Sequence, residues 1–87
     1  MSIVVGVDLG ATNLRVAAAD LNGKILSKKA EKTFGRTGFE IVEQIIRMID
    51  ETLHLIRLRR GDVRSIGIGS IGPLDLKRGL IVNPSNL

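Results

Sequence analysis

Val4-Val5-Gly6-Val7-Asp8-Leu9-Gly10-Ala11-Thr12-Asn13-Leu14-Arg15-Val16 decides how the other residues of this 87-residue chain are read. An apolar run ends in one carboxylate, Asp8. A turn of glycine, alanine and hydroxyl follows, and a second apolar run starts at Leu14. Residues 2–8 are apolar on both faces and rich in β-branched side chains, the pattern of a strand inside a sheet. Residues 14–19 read as a second strand, and so short a connection makes the two antiparallel neighbours. A strand that delivers a carboxylate to the end of a sheet, beside a tight turn of small residues, has the parts of a phosphate-and-metal site. Backbone N–H groups in such a turn can face one anion without formal charge. Asp8 suits a hydrated Mg2+, a hard cation that keeps several waters and binds one or two carboxylates together with substrate phosphates. The plainer reading has Asp8 capping the turn and Gly10 merely permitting it. Against that reading, a carboxylate at the end of a buried strand is costly without a partner.

Outward from this stretch, Asp20-Leu21-Asn22-Gly23 signals a hairpin, with Asn-Gly suited to the positive φ angles of a type I′ turn. Residues 24–33 then form a third strand, whose lysines suit an edge protected against further pairing. Thr37 and Glu40 have the spacing of a capping box, with Thr37 the N-cap. In the helix that follows, Val42, Ile45, Ile46, Ile49, Leu53 and Ile56 recur with a helical period, and Glu43 and Arg47 pair on the other face. Arg57, Arg59 and Arg60 complement the helix C-terminus, with Gly61 as the C′ residue. Residues 63–70 form a fourth strand, which a helical crossover allows to lie parallel in the same sheet. Leu74 to Leu76, a Lys77-Arg78-Gly79 turn and Leu80-Ile81-Val82 read as a small rim hairpin. The expected fold is α/β: three antiparallel strands, a crossover helix and a parallel fourth strand, with the first strand central.

Composition narrows the function. Cysteine is absent, which excludes disulfides and cysteine-based metal sites. No apolar run approaches the ~18 residues of a membrane span, and no basic-then-apolar signal segment is present, so the expected location is cytoplasmic. The net charge is +4, with cations gathered at residues 24–36 and 57–64. Phe34 and Phe39 are the only aromatics, which argues against base stacking and makes nucleic acid an unlikely partner. These cations read as solvated faces and helix-end complements. The abundance of Ile, Arg and Glu hints at a thermophilic source. His54, the single histidine, has no ligand partner at metal-binding spacing.

Two nucleotide-binding patterns must be weighed. Gly67-Ile68-Gly69-Ser70-Ile71-Gly72 satisfies G-x-G-x-x-G after a strand, but the dinucleotide fingerprint needs a helix to open there. Pro73 and a turn at residues 75–79 follow instead. No Walker A pattern is present. Asp8-Leu9-Gly10-Ala11-Thr12 is a short motif, but its context strengthens it. A strand end, a turn into a second strand, a hairpin and a helical crossover, in that order, begin the RNase-H-like sheet of actin-like ATPases and sugar kinases.

Residues 6–16, together with Gly67-Ile68-Gly69-Ser70-Ile71-Gly72-Pro73-Leu74-Asp75, Gly79-Leu80-Ile81 and residues 83–87, resemble the N-terminal part of the ROK family of sugar kinases and sugar-responsive repressors. The resemblance runs over essentially the whole chain. It implies ATP-dependent phosphorylation of a hexose such as glucose in a cleft between two actin-like lobes, with ATP and Mg2+ as cofactors, in a protein that is a homo-oligomer when intact. Carried over by position, Asp8, Gly10, Ala11, Thr12 and Asn13 match the family's first phosphate-binding turn, with Arg15 nearby and Asp8 holding Mg2+ through water. Gly72, Pro73, Ser85 and Asn86 match loops lining the sugar site, and the last two carry both donors and acceptors for sugar hydroxyls. The family's catalytic Asp, in an Asn-Asp pair on a later strand, falls beyond Leu87, as do its Glu and His sugar ligands, its zinc-binding cysteines and its adenosine-binding lobe. The chain ends on Asn83-Pro84-Ser85-Asn86-Leu87 without cap or tail, and is expected to be a truncated N-terminal phosphate-binding lobe, inactive alone. A ROK-type repressor would place a helix-turn-helix ahead of this region. A resolvase-like nuclease would need further carboxylates beside Asp8, where the fourth strand ends in Ser70. A non-catalytic actin-like or chaperone-like ATPase is the remaining alternative, and residues 72–87 fit the sugar kinases better.

Overall fold

The computed structural model describes residues 2–10, 12–33 and 37–69. Strand β1 (Ile3–Leu9) sends Ile3, Val5 and Val7 to one face, each at most 1% exposed. Strand β2 (Asn13–Ala19) sends Leu14, Val16 and Ala18 to the same face, as the two-residue period of a strand requires. β1 and β2 pair antiparallel, with Asp8 opposite Arg15 and Leu9 opposite Leu14. Strand β3 (Ile25–Lys32) pairs antiparallel with β2, and β4 (Val63–Gly69) pairs parallel with β1. The sheet order is β3-β2-β1-β4, so β1 is internal and the lysine-bearing β3 lies at an edge, as the sequence led one to expect.

Helix α1 (Gly38–Leu55) covers one face of this sheet, packing against β2 and β3. Ile45, Met48, Ile49 and Leu53 close the core over the inward residues of β1 and β2. Each fully buried side chain of this size stabilises the fold by roughly 1.5–3 kcal/mol. Thr37 is the N-cap, its hydroxyl accepting the Glu40 N–H at 3.2 Å. Among the described residues, no helix is long and apolar enough to cross a membrane.

Four local expectations are corrected. The buried stripe of α1 is Gln44, Ile45, Met48, Ile49, Thr52 and Leu53, whereas Val42 and Ile46 are 51% and 43% exposed. Because α1 sits over β2 and β3, its buried arc is rotated away from those two residues, and Ile46 and Ile49 instead line a shallow cleft with Val63 and Ile66 of β4. Arg47 does not serve the Glu43 pairing. It holds Glu31 of β3 with two bonds of 2.6 and 2.9 Å and Glu51 with one of 2.7 Å, while Lys29 reaches Glu51 at 3.2 Å. The Arg47 hydrogen bond is the main reason that the Glu31 carboxyl titrates at about 2, below its ordinary 4.5.

The helix also stops earlier than Gly61. Arg57 takes the C′ position with φ 59°, and its N–H donates to the His54 carbonyl while that of Leu58 donates to the Leu53 carbonyl, both at 3.0 Å. This is a Schellman motif with arginine where glycine is usual. Gly61 lies instead in a short 3-10 turn, Arg60–Asp62, and Arg60 grips Asp50 of α1 through two bonds of 2.7 and 2.6 Å. The hairpin between β2 and β3 is present, but neither Leu21 nor Asn22 has a positive φ, so the turn is not type I′. Gly23 alone takes φ 89°, its N–H donating to the Asp20 carbonyl, and Asp20 Oδ1 accepts the N–H groups of Asn22 and Lys24. A three-residue loop with glycine in the left-handed position replaces the two-residue form.

Candidate functional site

Asp8 sits one residue from the end of β1, flanked by Arg15 of β2 and Gly69 of β4. Strand alternation puts its side chain on the opposite face from Val7, away from α1. Asp8 is 7% exposed, and its Oδ1 has no hydrogen-bond partner among the described residues. Among the described residues Oδ2 has one ion-pair neighbour, Arg15 Nη1, at 3.9 Å. The Arg15 side chain is 61% exposed, so this long contact in water does little to offset the desolvation of the carboxylate. The site therefore holds an acceptor oxygen that the described residues leave unused. A cation carrying its own water molecules has donors to give such an oxygen, and the residues present fit Mg2+ on that ground. No group of three or more His, Cys, Asp or Glu that could enclose a metal occurs among the described residues, so any ion here would rely on waters and on a bound anion.

The turn after Asp8 is closed by the Gly10 N–H donating to the Asn13 carbonyl at 2.9 Å. Space is tight at Gly10. A Cβ on it would stand 3.0 Å from the Asn13 carbonyl oxygen, and its φ is not in the left-handed region. Thr12 and Asn13, which follow Asp8 in the chain across this turn, are exposed. From Asp8 a groove of about 600 Å³ runs across the face turned away from α1, past Gly6, Arg15, Ala17, Lys28 and Ala30.

The structure thus brings together Asp8, Gly10, Thr12, Asn13 and Arg15. Ala11, Gly72, Pro73, Ser85 and Asn86 lie outside the described residues, as do the G-x-G-x-x-G pattern from Ser70 onward and the rim hairpin. The sequence reading missed Thr33, just past β3, whose N–H donates to the Thr12 carbonyl at 2.9 Å and whose hydroxyl donates to the Gly10 carbonyl at 3.1 Å. A usable signal existed. In the observed register Asn13 faces Lys32, and one further step outward along the hairpin sets Thr12 across from Thr33.

A three-stranded antiparallel meander, a crossover helix and a parallel fourth strand, with the carboxylate at the end of the first strand, define an actin-like ATPase fold. The comparisons agree. A ROK hexokinase from Thermus thermophilus superimposes with a TM-score of 0.70 at 31% identity, over 88% of this chain and 24% of that one. A ROK glucokinase from Streptomyces griseus, solved with glucose and AMPPNP, gives a TM-score of 0.67 at 30% identity, over 88% of this chain and 23% of that one. A glucokinase of Aeropyrum pernix is 40% identical over 87 residues, all of this chain and 25% of that protein. The chain belongs to the ROK family, whose model matches residues 4–87. It spans about a quarter of the length of these relatives.

Proposed function

We propose that this chain is the N-terminal, phosphate-binding lobe of an ATP-dependent hexose kinase that transfers a phosphoryl group to a sugar hydroxyl, glucose being the favoured acceptor. The observation that carries the reading is the buried Oδ1 of Asp8, without a hydrogen-bond partner among the described residues, beside the closed turn at Gly10 and Asn13. Likeness to glucokinases along the whole chain supports it. In this reading Asp8 holds Mg2+ through water, and Gly10, Ala11, Thr12 and Asn13 cradle the transferring phosphate. Arg15, exposed and only loosely tied to Asp8, is free to swing toward negative charge that develops on the phosphoryl oxygens. When bound, Mg2+ neutralises charge on the transferring group. Gly72, Pro73, Ser85 and Asn86 are assigned to the sugar side of the cleft. The base that removes the hydroxyl proton is assigned to a strand beyond Leu87, together with the adenosine-binding lobe.

Phosphoryl transfer depends on positioning and electrostatic stabilisation. One lobe supplies a phosphate turn and a metal carboxylate but neither base nor lid. The 87-residue chain is therefore expected to form no glucose 6-phosphate from ATP, Mg2+ and glucose, and clear product would refute the assignment of the base. Binding gives the direct test of the site. In a Mn2+ titration followed by electron paramagnetic resonance in the presence of ADP, the wild-type chain should bind and Asp8→Ala should weaken binding about tenfold, equivalent to ~1.4 kcal/mol. Equal binding by both chains would overturn the role given to Asp8.

A further inference from the structure

Two of the hydrogen bonds that shape the 10–13 turn come from one residue outside it. Thr33 donates its N–H to the Thr12 carbonyl at 2.9 Å and its hydroxyl to the Gly10 carbonyl at 3.1 Å. In a trans peptide the carbonyl of one residue and the N–H of the next point in opposite directions. Holding the Thr12 carbonyl toward Thr33 therefore turns the Asn13 N–H the other way. The hydroxyl bond also engages the Gly10 oxygen, whose negative end would otherwise be left to oppose an anion at the turn. Thr33 is itself anchored. The carbonyl of the preceding Lys32 accepts from Gln44 Nε2 of α1 at 2.8 Å, and Gln44 is 7% exposed. A continuous strut thus runs from the packed helix through Gln44, Lys32 and Thr33 into the turn.

We propose that Thr33 is a positioning residue that holds the 10–13 turn ready for a phosphate group. The inference rests on the reading of that turn as a phosphate site. Inorganic phosphate is the probe, titrated into the 15N-labelled 87-residue chain and followed by the amide signals of Gly10, Thr12 and Asn13. Thr33→Val removes the hydroxyl and keeps the N–H and the branched side chain, whereas Thr33→Ser keeps the hydroxyl.

Loss of this one bond should weaken phosphate binding about fivefold in Thr33→Val. Thr33→Ser should bind as the wild type does, at a temperature where all three chains are fully folded. A merely structural role would move the melting temperature and leave phosphate affinity in the folded chain unchanged. Wild-type affinity in Thr33→Val overturns the positioning role while leaving the phosphate turn intact. Absence of any phosphate response in the wild type overturns the phosphate turn itself, and the positioning role with it. Should Thr33→Val not fold, Thr33→Ala is set against Thr33→Ser, and equal phosphate binding by those two overturns the proposal.

Discussion

Arg57 is the described non-glycine residue with a positive φ, at 59°, and it holds that conformation so that the Schellman bonds to His54 and Leu53 can form. An L side chain in the left-handed region costs roughly 1–2 kcal/mol, a penalty glycine escapes. Arg57→Gly is therefore expected to raise the free energy of unfolding by about 1 kcal/mol, measured by urea denaturation at constant slope. At this scale the sequence was legible where a residue's role depends on its neighbours in the chain. Asp8 at a strand end and Thr37 as N-cap were readable because spacing alone expresses them. The cap at Arg57 was not, because Gly61 four residues later carried the stronger local signal. Gly10 was legible only as a small member of the turn; what constrains it, the nearness of the Asn13 carbonyl, exists only once β2 has folded back.

Between elements, α1 is fastened to the edge strand β3 by the Arg47–Glu31 pair, by Gln44 on Glu31 at 3.2 Å, and by Ser27 Oγ on the Thr52 carbonyl at 2.8 Å. Glu31 is a carboxylate whose pKa is about 2 in the folded chain against 4.5 when free, chiefly through the Arg47 hydrogen bond. A depressed folded-state pKa means that the unfolded chain takes up the proton first as pH falls. The stabilisation is therefore complete above pH 4.5 and is lost as pH falls from there to about 2. Glu31→Gln is expected to flatten that part of the acid-denaturation curve, followed by circular dichroism, and an unchanged slope would mean that the pair contributes nothing. The helix as an element was readable from its period and cap, but its phase was not. Six apolar positions spread over a wide arc, and the choice of which part is buried belongs to β2 and β3, which receive Gln44 and Thr52 in place of Val42 and Ile46.

Across the whole molecule, a single layer of helix covers one face of the sheet, and the face bearing Asp8 is covered by none of the described elements. Strand order and direction were readable because short turns and one crossover leave few alternatives. The partners of Asp8 were not, since they depend on which residues the pairing sets opposite it. That pairing also has a consequence in time. β1, β2 and β3 form a meander of neighbouring segments, and the bonds from Gly10 to Asn13 and from Thr33 to Thr12 and Gly10 are available once residue 33 is in place. β4 must instead find β1 across some sixty residues, Ile3 meeting Val63. Long-range pairing carries a loop-closure cost before its contacts repay it, and such pairings form slowly. Val16→Ala in β2 is thus expected to slow refolding, whereas Ile68→Val in β4 mainly speeds unfolding, as stopped-flow measurements across denaturant would show. Equal slowing of refolding by both would mean that β4 is already docked at the barrier. On this order of events the carboxylate and its turn are assembled early, and the strand that walls in Asp8 at Gly69 arrives last.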